Sequence, residues 1–178
     1  MSDSAAISID PIAYRQILGQ YPTGVCVITA IGEDGAPVAM VVGSFTSVSL
    51  SPPLVGFFPD KASSSWGKLR TSRHFCVNML AASQEHVCRK LASKDPDKFC
   101  GTAHSLSDRG IPLLHDVVAR IECDMHSVTD AGDHELVLGL VRSLEIVSDA
   151  PPLLFHKGRY GSFAEGSADM MRGATTII

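Results

Sequence analysis

Residues 117 to 125 follow a pattern that few folds accommodate. Val117, Ala119, Ile121, Cys123 and Met125 are apolar, and Arg120, Glu122 and Asp124 between them are charged. Successive strand side chains point to opposite faces, so this run reads as one strand with a dry face and a wet face. One-sided strands of this kind belong to antiparallel sheets, because parallel sheets are covered on both faces. Other strand-like runs are Gly24 to Ala30, Pro37 to Val42, Leu54 to Phe58, His74 to Leu80, Glu135 to Val141 and Pro152 to His156. Glu33-Asp34-Gly35 is a hairpin signal between the first two, and Ala131-Gly132-Asp133-His134 turns into Glu135. Neighbouring strand pairs with short turns predict a mainly β chain, an antiparallel barrel with peripheral helices.

Three helices are expected around it. Asp10-Pro11 is a good N-cap and first position for a helix ending near Gly19, with Tyr14, Ile17 and Leu18 as its apolar face. A second begins within Lys61 to Trp66 and runs through Leu69. Ser83 caps a third, Gln84 to Ala92, with Val87, Cys88 and Leu91 inward. Ser105 to Pro112 reads as irregular and exposed.

The chain of 178 residues is long enough for one domain with a sizeable core. We expect that domain at residues 10–164, with an N-terminal extension at 1–9 and a C-terminal tail at 165–178. A formal net charge of -4, with no basic block, argues against a nucleic-acid or anionic-membrane partner. The first residues lack the pattern of a signal peptide, and no apolar run is long enough to span a bilayer, so a cytoplasmic protein is expected. Cys26, Cys76, Cys88, Cys100 and Cys123 form no CxxC pair, so neither a disulfide framework nor a structural metal site is expected. GxGxxG, GxSxG, HExxH and the P-loop are absent, which disfavours the enzyme classes built on them.

Two stretches carry candidate chemistry. Between the strands ending at Val42 and starting at Leu54 lie Ser44, Thr46, Ser47, Ser49 and Ser51. If extended, the segment places Ser47, Ser49 and Ser51 on one side, with Val48 and Leu50 on the other together with Thr46. Such a polar rail on an apolar wall suits the edge of a flat heteroaromatic ligand; an edge strand with solvated serines is the other reading. Ser63, Ser64 and Ser65 beside Lys61 open a helix, where free N–H groups and the dipole favour an anion. Capping alone is the alternative there. Lys94, in the polar loop Ser93 to Phe99, is a further candidate for an anionic ligand.

Taken together the motifs resemble one family. Tyr21-Pro22-Thr23-Gly24-Val25, Ser44-Phe45-Thr46-Ser47-Val48-Ser49-Leu50 and Pro52-Pro53-Leu54-Val55 come first. Ser93-Lys94-Asp95-Pro96-Asp97-Lys98-Phe99, Gly132-Asp133-His134, Pro152-Leu153-Leu154-Phe155 and Gly158-Arg159-Tyr160-Gly161 follow in the same order as in the family. The chain from Asp10 to Gly161 is similar to the short-chain flavin reductases, the reductase components of two-component flavin-dependent monooxygenases. The resemblance implies an FMN-binding split barrel, a homodimer, FMN or FAD as flavin, and NADH or NADPH as hydride donor. It implies that Val41, Val42, Gly43 and Ser44, with Ser47, Val48 and Ser49, line the ring and ribityl chain. Ser63, Ser64 and Ser65 would hold the phosphate, with Lys94 near it or near the adenylate. His134 would face the nicotinamide side of the flavin, where it would position the donor, and Arg159 and Tyr160 would help hold the pyridine nucleotide. Many relatives have Thr at the place of Val41, so one hydroxyl contact is missing here. Reduced flavin would pass to an oxygenase. A flavin-retaining electron carrier, a ferric or cobalt-corrinoid reductase and a haem-binding module on the same fold are the alternatives.

Overall fold

The structure is a computed structural model and describes residues 9–164. The extension before Ile9 and the tail from 165 onward lie outside the described residues. Seven antiparallel strands form the main sheet: β2 (Cys26–Ile31), β3 (Pro37–Val42), β4 (Thr46–Leu50), β5 (Pro53–Phe57), β6 (His74–Met79), β9 (Ala119–Ala131) and β10 (His134–Ile146). Their order is β3-β2-β6-β9-β10-β5-β4. A smaller sheet joins β1 (Thr23–Gly24), β11 (Leu153–His156) and β12 (Arg159–Ser162), and β7 (His104–Leu106) pairs with β8 (Pro112–Leu114). Among the described residues these strands pair antiparallel throughout. The main sheet ends at β3 and β4, which do not pair with one another among the described residues.

The sheet is buried on both faces over β2 and β3. Cys26, Ile28, Ala30, Val38, Met40 and Val42 join a core with Phe57, Trp66, Phe75 and Cys123. Val25, Val27 and Ala39 enter a second core with Cys88, Leu91, Phe99 and Leu153. Burial on both sides explains why these strands read as continuous apolar runs rather than alternating ones. β9 keeps the alternation, with Ile121 and Cys123 inward. α2 (Ser64–Leu69) covers the first core through Trp66 and Leu69, while α3 (Glu85–Ala92) covers the second through Cys88 and Leu91. Burial pushes the thiols of Cys26, Cys76 and Cys123 up to about 12, so they are inert apolar fillers at neutral pH. No helix among the described residues is long and apolar enough to cross a membrane.

One local expectation, the first helix, is met in its cap and bounds, and two others are corrected. α1 (Pro11–Leu18) is capped by Asp10, whose carboxylate accepts from the N–H groups of Ile12 and Ala13, but it buries no residue. Its apolar face of Tyr14, Ile17 and Leu18 is exposed. Ser83 does not cap α3; it lies inside a 3₁₀ turn, Ala82–Gln84. There the Gln84 side chain accepts from the Ala81 N–H and donates to the His115 carbonyl. Ser105 to Pro112 is irregular only at its middle, residues 107–111, because its ends belong to the β7–β8 hairpin. Buried Asn78 holds that hairpin by accepting from the Leu114 N–H at 3.0 Å.

Candidate functional site

One short connection, Phe58 to Ala62, gathers the candidate residues. The Ser44 hydroxyl accepts from the Phe58 N–H at 3.0 Å. The Pro59 carbonyl accepts from the Glu135 N–H at 3.0 Å, and Asp60 bridges to His134. The Lys61 N–H donates to the Asp133 carbonyl, and the Ser63 N–H to the Asp60 carbonyl, both at 3.0 Å. The start of the serine segment, the His134 turn and the Ser63–Ser65 cluster therefore hang on one piece of backbone.

The serine segment is an edge strand with an irregularity. β4 pairs with β5 as Ser47↔Val55 and Ser49↔Leu54, and the register shifts across Val48. A bulge re-aims side chains and breaks the period of two. The expected apolar wall is not a buried one, since Val48 and Leu50 are exposed. Val42 is in the first core and Val41 packs on the second, which leaves mainly their backbone groups for a ligand. Gly43 is exposed, yet a Cβ there would lie 2.8 Å from the Thr23 hydroxyl oxygen. A side chain here would require the Thr23 hydroxyl to turn aside.

Ser63, Ser64, Ser65 and Lys94 line one cleft of about 810 Å³. It is also lined by Ala36, by Pro37, Val38 and Ala39 of β3, and by the loop Ser93 to Phe99. Ser63 caps α2 by accepting from the Trp66 N–H. Lys61, expected beside the serines, turns away: its ammonium donates to Asp130 and to the Gly132 carbonyl. The cations facing the serines from nearby are Lys68 and Lys98, neither singled out from sequence as a ligand. Lys98 donates to the Ser65 hydroxyl at 3.0 Å. Burial, and then the neighbouring charge of Lys68, hold its ammonium below the ordinary lysine value. Lys68 stands three residues after Ser65, a spacing that places both on one helix face, and that signal was readable. Asp95 and Asp97 also line the cleft, but they accept from loop N–H groups of Asp97 and Cys100 respectively.

His134 follows a tight turn in which Gly132 takes φ 77°, a left-handed conformation suited to glycine. Its Nδ1 lies 2.7 Å from the Asp133 carboxylate, and that contact holds the Asp133 carboxyl below its usual range. The ring is half-exposed. Glu135 fixes the strand behind it. Its carboxylate accepts from the Trp66 indole N–H at 2.6 Å and from Arg70 at 3.0 Å, which ties β10 to α2. Glu135 is a positioning residue that sequence reasoning missed, because its partners are remote in the chain.

Arg159 and Tyr160 lie elsewhere, on the β11–β12 hairpin. With Pro22, His156 and Lys157 they line a separate cleft of about 580 Å³. The Tyr160 hydroxyl accepts from the Cys88 thiol at 3.3 Å, and the Arg89 guanidinium sits 4.8 Å from the ring centroid. The Cys88 contact and then burial push the phenol up to about 12. This contact anchors the hairpin to α3 and leaves the Tyr160 O–H free to donate. The structure therefore unites His134, Ser44 and the three serines through one connection, and sets Arg159 and Tyr160 apart.

Residues 18–164 match the family model described as a flavin reductase like domain. The chain belongs to this family. It is 55% identical over 157 residues to a flavin reductase of Pseudomonas putida, covering 88% of this chain and 92% of that protein. It is 46% identical over 156 residues to the reductase subunit HsaB of a flavin-dependent monooxygenase from Rhodococcus jostii, covering 88% and 80%. The solved NADH:FAD oxidoreductase of Streptomyces globisporus, in complex with NAD and FAD fragments, superposes with a TM-score of 0.83 at 36% identity, covering 92% of this chain and all (100%) of that one. For a flavin reductase the donor set is apt. Hydroxyls and ammoniums at the 810 Å³ cleft suit a phosphate, and the hydroxyl-bearing edge strand suits the polar edge of a ring.

Proposed function

We propose that this chain is an NAD(P)H:flavin oxidoreductase that reduces FMN or FAD and supplies the reduced flavin to a partner monooxygenase. The observation that carries the reading is the joining of Ser44, the His134 turn and the Ser63–Ser65 cleft by Phe58 to Ala62. That arrangement offers one surface for a ring, another for its phosphate tail, and a histidine beside both. The flavin, when bound, supplies the hydride-accepting ring nitrogen. Ser63, Ser64 and Ser65 hold the phosphate, and Lys94 neutralises it or the adenylate. Backbone groups of Val41, Val42, Gly43 and Val48 line the ring with the hydroxyls of Ser44, Ser47 and Ser49. His134 orients the nicotinamide, and Arg159 and Tyr160 hold the rest of the donor. Orientation of this kind is how a protein accelerates a transfer that needs no acid–base pair.

The main sheet is read as a split barrel that curls β3 toward β4 through the short Gly43-Ser44-Phe45 link. Two copies form a homodimer in the cytoplasm, supported by exposed apolar side chains on α1, β4 and β10. The test is NAD(P)H oxidation with FMN or FAD supplied in excess. Saturable oxidation that scales with free flavin is the expected result. No oxidation with either flavin, or a flavin that co-purifies tightly and turns over poorly, would overturn it.

A further inference from the structure

We propose that the cleft between α2 and the Ser93–Phe99 loop makes this chain select FAD over FMN, with Lys68 and Lys98 holding the second phosphate and Ala36 to Ala39 flooring the adenosine. The inference rests on the flavin reading above and deepens it. Size is the first argument. A mononucleotide ends at the three serines, whereas the cleft continues past them over β3 to the loop, about 810 Å³ in all. Clefts of roughly 300 to 1,000 Å³ are those that bury a ligand of drug size. Besides the hydroxyls at Ser63 to Ser65, the lining includes small apolar residues at Ala36, Pro37, Val38 and Ala39. A phosphate followed by an adenosine calls for both kinds of lining.

Charge is the second argument. Lys68, Lys94 and Lys98 all line the cleft. Lys98 is partly desolvated and lies within the field of Lys68, so the pair repels in the absence of an anion. Asp95 and Asp97 accept from their own loop, and among the described residues neither forms an ion pair with Lys68 or Lys98. A single phosphate at the serines meets Lys98 through Ser65, while Lys68 is left for a second one. A diphosphate answers both ammoniums.

The test is fluorescence titration of the purified protein with riboflavin, FMN and FAD, repeated with AMP as competitor. The expected result is FAD bound roughly tenfold more tightly than FMN, the size of one charge-assisted contact. AMP should raise the apparent Kd for FAD and leave that for FMN unchanged. Lys68→Gln, an exposed substitution with no packing to lose, should bring FAD down to the FMN value while FMN stays within about twofold. Equal affinities for the two flavins would overturn the selectivity and leave the reductase reading standing. AMP that competes with NADPH but not with FAD would assign the cleft to the adenylate of the pyridine nucleotide and overturn it as well. Binding of neither flavin would sink the flavin reading itself.

Discussion

At the scale of single residues, function and stability are carried by different carboxylate pairs. His134 sits on a turn, half-exposed, held by Asp133. His134→Ala should lower kcat/KM for the pyridine nucleotide by roughly 10- to 100-fold, the cost of a lost positioning contact. Flavin affinity by fluorescence titration should not change, and an unaltered reductive half-reaction in stopped flow would remove His134 from the mechanism. Asp124 is structural. It accepts from His74 at 2.7 Å, from Arg142 at 2.6 Å and from Arg109, so it joins β6, β10 and the β7–β8 hairpin. The Arg109 contact first, with Arg142 and His74 adding to it against the opposing effect of burial, holds its carboxyl well below the usual range. A depressed carboxylate stabilises the fold above its ordinary pKa of about 4 and loses that contribution as pH falls through the lower folded value. Asp124→Asn should therefore cost about 2 kcal/mol at pH 7. Urea melts at pH 7, 5 and 3 should show the variant losing less stability on acidification than the parent; parallel curves would contradict this. Much of the candidate site was legible at this scale. The serine triplet and the Gly-Asp-His turn stand in the sequence with their chemistry exposed. Lys61 was misplaced because adjacency in sequence says nothing of the direction in which a long side chain turns.

Among the elements, what was legible is what depends on one segment alone. The alternation of β9 and the capped start of α1 are local patterns, and both appear where the sequence puts them. The bulge at Val48 and the β7–β8 hairpin depend on partners, so no local pattern announces them. A close approach between strands is equally silent. Gly139 of β10 is an example: a Cβ there would lie 2.4 Å from the Phe75 ring and 3.1 Å from the Cys123 Cβ. Phe75 cannot retreat, because it is wholly buried and packs edge-on against Phe57 at 5.6 Å. Gly139→Ala should cost about 1 to 3 kcal/mol through overpacking. Equilibrium unfolding that stays within about 0.5 kcal/mol of the parent would mean that β10 shifts to make room, as the irregular register between Leu138 and Gly139 would permit.

For the whole molecule, the exposed apolar side chains bear on whether one chain holds a complete site. Ile12 and Ile17 on α1, Leu144 and Ile146 on β10, and Leu50 on β4 are each more than half exposed, and Val48 is 48% exposed. Val48 and Leu50 share β4 with Ser47 and Ser49, and β4 is an edge of the main sheet. An edge strand of this composition invites pairing or cover unless something else occupies it. In the proposed homodimer, the partner covers Val48 and Leu50 and thereby fixes the strand that carries the ring-lining hydroxyls. Leu50→Asp tests this link directly. The side chain is 75% exposed, so the substitution costs the single chain little stability. Sedimentation should show the parent as a dimer and the variant shifted to monomer, with flavin affinity falling roughly tenfold or more alongside, as expected when an anchor at an interface is lost. A monomeric variant that binds flavin as tightly as the parent would place the whole ring site within one chain. A variant that remains dimeric would move the interface away from β4, toward the apolar faces of α1 and the end of β10.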